Sequence, residues 1–320
     1  MTLPLTGVAL AEHEPLVRSL PDWGYTDVWS SEVTGADAFT PLVLAAGWAP
    51  TLRLGTAIVP VFTRGPGLIA MSAAALAELA PGRFVLGLGA SSPAVVNQWN
   101  SVAFDRPLQR TADVLRIVRA ALAGERVSAD LDTVRVEGLR LERPPAVAPP
   151  ILLAALRPQM LALAGREADG AILNWLAPDD VAPCLAAVDN PGAHIVARVF
   201  VCPTEDAATA RAIGRRLIAA YLTVPAYAAF HEWLGRGPAL TAMQAAWAAG
   251  DRAGALTALD DDTVDELVVH GAPERCRERV AEYAAAGVDV PVLALVAPPE
   301  LSSPAALADV VRRLGPGAHR

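Results

Sequence analysis

The chain has 320 residues, 53% of them hydrophobic, a net charge of −8 and a sequence pI near 5.2. That is ample apolar material for a sizeable core, and acidic and basic residues are interspersed without a basic block, which argues against nucleic acid as the main partner. No apolar run approaches the roughly 18 residues of a membrane span, and residues 1–15 (MTLPLTGVALAEHEP) lack a basic n-region, so we expect a first strand there rather than a signal peptide, no membrane partner, and a cytoplasmic protein.

Short apolar strand candidates alternate with helical patterns. Residues 5–10 read as the first strand, 12–21 as a helix, and 25–30 as the second strand. The third is 53–62 (RLGTAIVPVF), followed by an Ala-rich helix over 67–79 and a fourth strand over 83–88. Residues 107–123 predict an amphipathic helix with Val114, Leu115, Ile117, Val118, Ala121 and Leu122 on one side. Four more strands are expected at 151–155, 170–174, 194–202 and 290–296. Continuous apolar strands separated by helices imply a parallel sheet covered on both faces. Eight such units fit a (β/α)8 TIM barrel, with a doubly wound open sheet as the competing arrangement. Two stretches exceed simple units: 124–150, with a hairpin expected around 135–142 (RVEGLRLE), and 203–271, which holds several helices. Neither reads as separate, so residues 1–320 are expected to form one domain with insertions at about 124–150 and 203–271.

The chain contains no lysine. That excludes Schiff-base chemistry, pyridoxal phosphate enzymes and a Walker A lysine. Its three cysteines, Cys184, Cys202 and Cys276, are far apart and imply no disulfide framework. The five histidines, His13, His194, His231, His270 and His319, form no metal-ligand motif, so no metal is expected.

The stretch 83–93 (RFVLGLGASSP) runs from a strand into small residues. A dinucleotide fingerprint needs a third glycine where Ser92 stands. A nucleophile elbow around Ser91 needs a small residue where Pro93 stands. A third reading places Gly89, Ala90 and Ser91 at the C-terminal end of a barrel strand, where active sites lie, with a flat ring packed against them. Tight core packing explains Gly87 alone. Elsewhere, Glu32 closes the second strand as a base, a hydrogen-bond acceptor for a ring N–H, or a plain surface acid. Asn174 and Trp175 follow the sixth strand and serve either a pocket or the core. Ala154, Ala155, Leu156, Arg157 and Pro158 leave the fifth strand and enter a helix, whose N-terminus suits phosphate, with Arg157 adding a charged contact.

The pieces GYTDVWSSE (24–32), DAFTPLVLAAGWAPTLRLGTAIVP (37–60), RGP (64–66), ALAELAPGRFVLGLGASSP (75–93), WNSVAFDRPLQRTADVLRIVRAALAGERV (99–127), ILLAALRPQMLALAGREADGAILNW (151–175) and HGAPERCRERVAEYAAAGVDVPVLAL (270–295), in this order, resemble the luciferase-like monooxygenase superfamily. Within it they are most similar to the actinobacterial branch of F420-dependent oxidoreductases. The resemblance implies a (β/α)8 barrel with an insertion segment, often a homodimer, and the deazaflavin F420 lying across the barrel mouth. It implies a non-proline cis peptide between Ala57 and Ile58 against the ring. It puts Gly89, Ala90, Ser91 and Ser92 along the cofactor, and Ala154, Ala155, Leu156, Arg157 and Pro158 around its phosphate. It sets Glu32 beside the ring and Asn174 on the substrate side. These two are the implied catalytic residues, with Val33, Asn174 and Trp175 lining the substrate pocket.

The sequence also departs from that pattern. Sugar-phosphate dehydrogenases of the superfamily carry a His after the residue matching Glu32 and a Glu at the position of Ser92; here Val33 and Ser92 stand there. A small, largely apolar organic substrate fits better than a sugar phosphate. The expected activity is hydride transfer between F420 and that small molecule. The alternatives are an FMN-dependent monooxygenase using O2, a cofactor-binding protein without turnover, and a hydrolase built on GASSP.

Overall fold

Proline has no N–H to give a sheet ladder. In this computed structural model, which describes residues 1–301 and 303–317, the first strand ends just before Pro4. β1 is Thr2–Leu3 rather than the predicted 5–10. Gly7 takes a left-handed φ of 81°, and Leu5 N–H donates to His13 Nε2 at 2.8 Å instead of to a strand. A short turn then leads into α1 (Glu14–Ser19), the middle of the predicted 12–21 helix.

The chain divides into two compact units, the first made of Met1–Ala155, Ala162–Ile172 and Val188–His194. After β1 come β2 (Asp27–Ser30), α2 (Thr40–Trp48), β3 (Arg53–Thr56) and β4 (Val59–Pro60). The predicted strand 53–62 is thus two strands, divided at a non-proline cis peptide between Ala57 and Ile58. α3 (Pro66–Leu79) begins one residue before the predicted helix, and β5 (Phe84–Gly89) is the predicted strand shifted by one residue. Every residue of β2 and β5 is buried, the signature of a parallel sheet covered on both faces. β2 pairs in parallel with β1 and β3, and β5 with β3 and β4.

Two glycines show how tightly this sheet is filled. A Cβ on Gly55 falls 2.2 Å from the Trp29 ring, which lies across it. A Cβ on Gly87 falls 1.9 Å from the carbonyl oxygen of Thr56. The Thr56 hydroxyl meanwhile accepts from Gly87 N–H at 2.8 Å, clamping the two strands together. That backbone oxygen cannot swing aside. Gly87→Ala is therefore expected to lower stability by about 1–3 kcal/mol, read from the denaturant midpoint. An unshifted midpoint contradicts this packing.

α4 (Pro107–Leu122) buries all six residues assigned to its apolar side, and also Asp113. The Asp113 carboxylate accepts from Gln109 at 2.8 Å, and from the Thr133 N–H at 3.0 Å and hydroxyl at 2.6 Å, which ties down the turn of a hairpin. That hairpin joins β6 (Val127–Asp130) to β7 (Arg135–Leu139). The predicted hairpin at 135–142 is therefore one arm of it, because the turn comes at the Asp-rich residues before Val134. β8 (Ile151–Ala154) continues the parallel sheet on β5, α5 is Pro158–Glu167, and β9 (Gly170–Asn174) pairs with β8.

The second unit comprises Leu156–Leu161, Leu173–Ala187 and Ile195–Arg320. Its elements are α6 (Val181–Val188), β10 (His194–Cys202), α7 (Ala207–Tyr221), α8 (Pro225–Trp233), α9 (Gly237–Ala248), α10 (Arg252–Thr257), α11 (Asp261–Leu267), β11 (Val269–His270), α12 (Pro273–Ala285), β12 (Val290–Leu295) and α13 (Pro304–Leu314). β10 pairs in parallel with β11 and with β12. The helices expected within 203–271 are α7 to α11, and they share a core with Trp175, Phe200, Ile218, Leu222, Leu240 and Met243.

His231 of α8 lies in this unit, fully buried, with neither ring nitrogen hydrogen-bonded. Burial first, and then the Arg236 charge, pull its imidazole down to about 3, against a weaker upward pull from the Trp175 backbone. The sign of the pH dependence follows. The unfolded chain takes up a proton below about 6.5 and the native one does not. Stability is thus complete above that pH and falls on acidification toward pH 3, by at most about 1.4 kcal/mol per unit. His231→Phe is expected to flatten that acid limb; an identical limb in the variant assigns it to other groups.

Candidate active site

The strand ends of the first unit gather most of the candidate residues. Glu32 lies just beyond β2, and its carboxylate is held mainly through Oε2, with a single contact on Oε1. It accepts from Arg64 Nε at 2.9 and 3.0 Å, pairs with a terminal Arg64 nitrogen at 2.8 Å, and accepts from Ala38 N–H at 3.1 Å. Arg64 also lies 3.7 Å from Asp37 and 5.4 Å from the centre of the Phe39 ring. The hydrogen bond to Glu32 is the main cause that raises the Arg64 guanidinium above its ordinary range. A carboxylate gripped this way is a fixed acceptor rather than a free base. Arg64 stood in the sequence only as part of RGP. Nothing in its spacing announces a partner 32 residues away.

Ala57 and Ile58 are half-buried, and their backbone is bonded to the same loop. Ala57 N–H donates to the Ser30 carbonyl at 2.6 Å, and Glu32 N–H donates to the Ile58 carbonyl at 3.3 Å. Val33, next along, is 52% exposed.

The turn after β5 lies beside Ile58. A Cβ on Gly89 would meet Ala154 Cβ at 2.9 Å and Ile58 at 3.0 Å, so glycine is required there by packing within the unit. Ala90, Ser91 and Ser92 are half-buried. Ser92 Oγ accepts from Val95 N–H at 3.4 Å as the chain turns into a short π-helical segment. Ser91 has a left-handed φ of 65°. Nucleophile elbows are strained in this way, but among the described residues no histidine or carboxylate hydrogen-bonds to Ser91, so the hydrolase reading lacks its base. Ala154 is half-buried and Ala155 buried, with Ala155 N–H bonded to the Ile172 carbonyl at 3.1 Å.

In the second unit, Leu156 is half-buried and Arg157 exposed. The Arg157 carbonyl accepts from Met160 and Leu161 N–H at 3.0 and 2.9 Å, which makes it the residue capping α5, with Pro158 as the first helical residue. Among the described residues Arg157 makes no ion pair, so its guanidinium is uncommitted. Asn174 ends β9, and its Nδ2 donates to the Tyr227 hydroxyl at 2.7 Å. Trp175 is fully buried, its ring stacked on Phe200 at 3.9 Å, so its bulk serves the core. Tyr227 was not foreseen: it lies in the helical insertion, 53 residues from Asn174.

Burial pushes Cys184 and Cys276 up to about 12 and Cys202 to about 11. His13 is buried and accepts from Leu5, and His270 contacts Asp265 at 2.8 Å. His319 lies outside the described residues. Among the described residues no group of three or more His, Cys, Asp or Glu is placed to hold a metal ion, and no helix is long and apolar enough to cross a membrane.

Comparison with known proteins places the chain. A Mycobacterium tuberculosis protein, provisionally named a coenzyme F420-dependent oxidoreductase, is 30% identical over 316 residues, covering 88% of this chain and 90% of its own. The 5,10-methylenetetrahydromethanopterin reductase of Methanolobus tindarius is 28% identical, covering 83% of this chain and 84% of its own. The solved structure of the coenzyme F420-dependent tetrahydromethanopterin reductase from Methanopyrus kandleri superposes with a TM-score of 0.77 at 20% identity, over 99% of this chain and 96% of that one. The fold is thus the luciferase-like TIM-barrel type expected from the alternating strands, not a doubly wound sheet. The model of the luciferase-like monooxygenase family matches residues 2–290, and the chain belongs to that family.

Proposed function

We propose that this protein is an F420-dependent oxidoreductase that moves a hydride between the deazaflavin and a small, largely apolar organic molecule. The observation that carries this reading is the 30% identity, spread over 88% of the chain, to a relative named for F420. The residues present suit such a group. A turn of small, half-buried residues, Ala90 to Ser92, offers a flat ring no obstruction. Arg157, exposed and uncommitted at the start of α5, is available to a phosphate. Bound F420 would supply the carbon that gives or takes the hydride. The protein's share is placement. Glu32, fixed by Arg64, holds an acceptor for a ring N–H; Gly89, Ala90, Ser91 and Ser92, with the Ala57–Ile58 backbone, form the ring's bed. Leu156, Arg157 and Pro158, following Ala154 and Ala155, hold the phosphate, while Asn174 orients the substrate and Val33 lies on the substrate side.

We further assign the protein to the cytoplasm as a homodimer working as a single luciferase-like domain. The apolar residues Val43 on α2, and Leu68, Met71 and Leu79 on α3, are 45–54% exposed in the monomer and offer a surface for the partner. The enzymatic reading is tested by mixing the purified protein and reduced F420 with a panel of small ketones, aldehydes and unsaturated acids and following deazaflavin absorbance. Turnover with any of them supports it. Tight cofactor binding with no turnover in either direction would instead favour a binding protein.

A further inference from the structure

Apart from its first residue, β10 (HIVARVFVC) is apolar except for Arg198. Arg198 lies on the same face as Phe200, its guanidinium carbon 4.7 Å from the ring centre, as period-two alternation requires. Its Nε is buried without a hydrogen-bond partner, and among the described residues Arg198 makes no ion pair. A cation–π contact offsets part of a guanidinium's desolvation. It satisfies none of the five N–H donors, and a buried donor left unpaired is costly.

A second unmet group stands in the same cluster. While Asn174 Nδ2 donates to Tyr227, the Asn174 Oδ1 is buried with no partner. A chain of aromatic rings links the two: Phe200, under Arg198, lies 6.1 Å from Tyr221, and Tyr221 lies 5.9 Å from Tyr227, the partner of Asn174. The Arg198 charge reaches that far. Burial pushes the Tyr227 phenol up to about 12, opposed by the Asn174 hydrogen bond and, more weakly, by the Arg198 charge. One unneutralised cation, one free carbonyl oxygen and aromatic walls describe a ligand with one negative charge, one hydrogen-bond donor and an apolar body.

We propose that Arg198 and Asn174 form a carboxylate-binding subsite, and that the substrate is an organic acid. Its carboxylate binds the Arg198 guanidinium, its hydroxyl or N–H donates to Asn174 Oδ1, and its body packs against Phe200, Tyr221 and Tyr227. Calling that acid the substrate rests on the oxidoreductase reading above; the binding of the anion does not. A carboxylate has a second possible source, the glutamate tail of F420, and the test separates the two.

Benzoate and its neutral isostere benzamide are titrated into the wild-type protein by ligand-observed NMR, alongside F420 and its chromophore without the glutamate tail. The subsite predicts that benzoate binds more tightly than benzamide by about 10-fold or more, the scale of a charged hydrogen bond. Arg198→Met should abolish that preference and leave F420 affinity unchanged, and Arg198→Lys should keep part of it. Equal binding of benzoate and benzamide by the wild type overturns the proposal, and decides the matter even if Arg198→Met does not fold. So does an undiminished preference in Arg198→Met. If that variant loses affinity for F420 but not for the tail-free chromophore, Arg198 serves the cofactor tail and the substrate subsite is overturned. A wild type that selects benzoate but binds no F420 keeps the subsite and removes the oxidoreductase reading.

Discussion

Arg236→Ala should lower the free energy of unfolding by about 3–5 kcal/mol, the cost of leaving a buried charge without its partner. Arg236, at the start of α9, binds both oxygens of Asp180, at 2.7 and 2.8 Å, and Glu266 at 2.9 Å. Asp180 is only 5% exposed and also accepts from Ala177 N–H at 2.7 Å, where it caps the turn into α6. Removing the guanidinium strands that carboxylate in the second unit's interior. Arg236→Lys retains the charge without the forked geometry and should lose distinctly less. The Arg236 charge also helps to hold His231 down, so the alanine variant should titrate His231 at a higher pH, visible by NMR. A destabilisation below about 1 kcal/mol, the value of an exposed pair, contradicts the buried reading.

Arg157→Ala should weaken F420 binding by about 1–3 kcal/mol, roughly 5- to 150-fold, the scale of a lost charged hydrogen bond. It should do so with little effect on the fold. The side chain is exposed and makes no ion pair among the described residues, and surface changes of that kind usually stay within about 0.5 kcal/mol. The contrast with Arg236 is useful: one arginine is expected to act on stability and the other on affinity. Unchanged F420 affinity in Arg157→Ala removes Arg157 from the site.

The sequence made the repeating elements readable where burial leaves a periodic mark. α4 shows its 3.6-residue period because one side faces the core, and β5 reads as an unbroken apolar run because both its faces are covered, as β9 does up to Asn174 and β10 does on either side of Arg198. The first strand was misplaced for a converse reason. Leu5, Val8 and Leu10 look like a strand, but only Leu5 is buried, and Pro4 and Gly7 turn the chain away. The cis bond between Ala57 and Ile58 came from the resemblance alone, since a peptide isomer leaves no trace in residue type.

Site residues at strand ends were legible as types and not as partners. Glu32 was visible, but Arg64 was not assigned to it, because an ion pair spanning 32 residues has no local signature. Trp175 shows the same limit in reverse: an aromatic after a strand suits a pocket or a core equally, and its stacking on Phe200 is a contact 25 residues away that no local pattern announces. Arg198 did carry a signal, a single charge inside an apolar strand, which strand periodicity passes over. Gly89 was read as a cofactor position and Gly87 as a packing position. The structure gives both a packing reason, in the Thr56 carbonyl and in Ala154 with Ile58.

The measurement that bears most directly on the proposed function is a side-by-side fluorescence titration of the purified protein with F420 and with FMN. The two share a ring shape and a phosphate, so they compete for one reading of the same residues. Tight binding of F420 with weak binding of FMN is the predicted result. Tight FMN with weak F420 would contradict it and move the protein to the oxygen-using flavin enzymes, and binding of neither would leave the fold and family in place but remove the function proposed here.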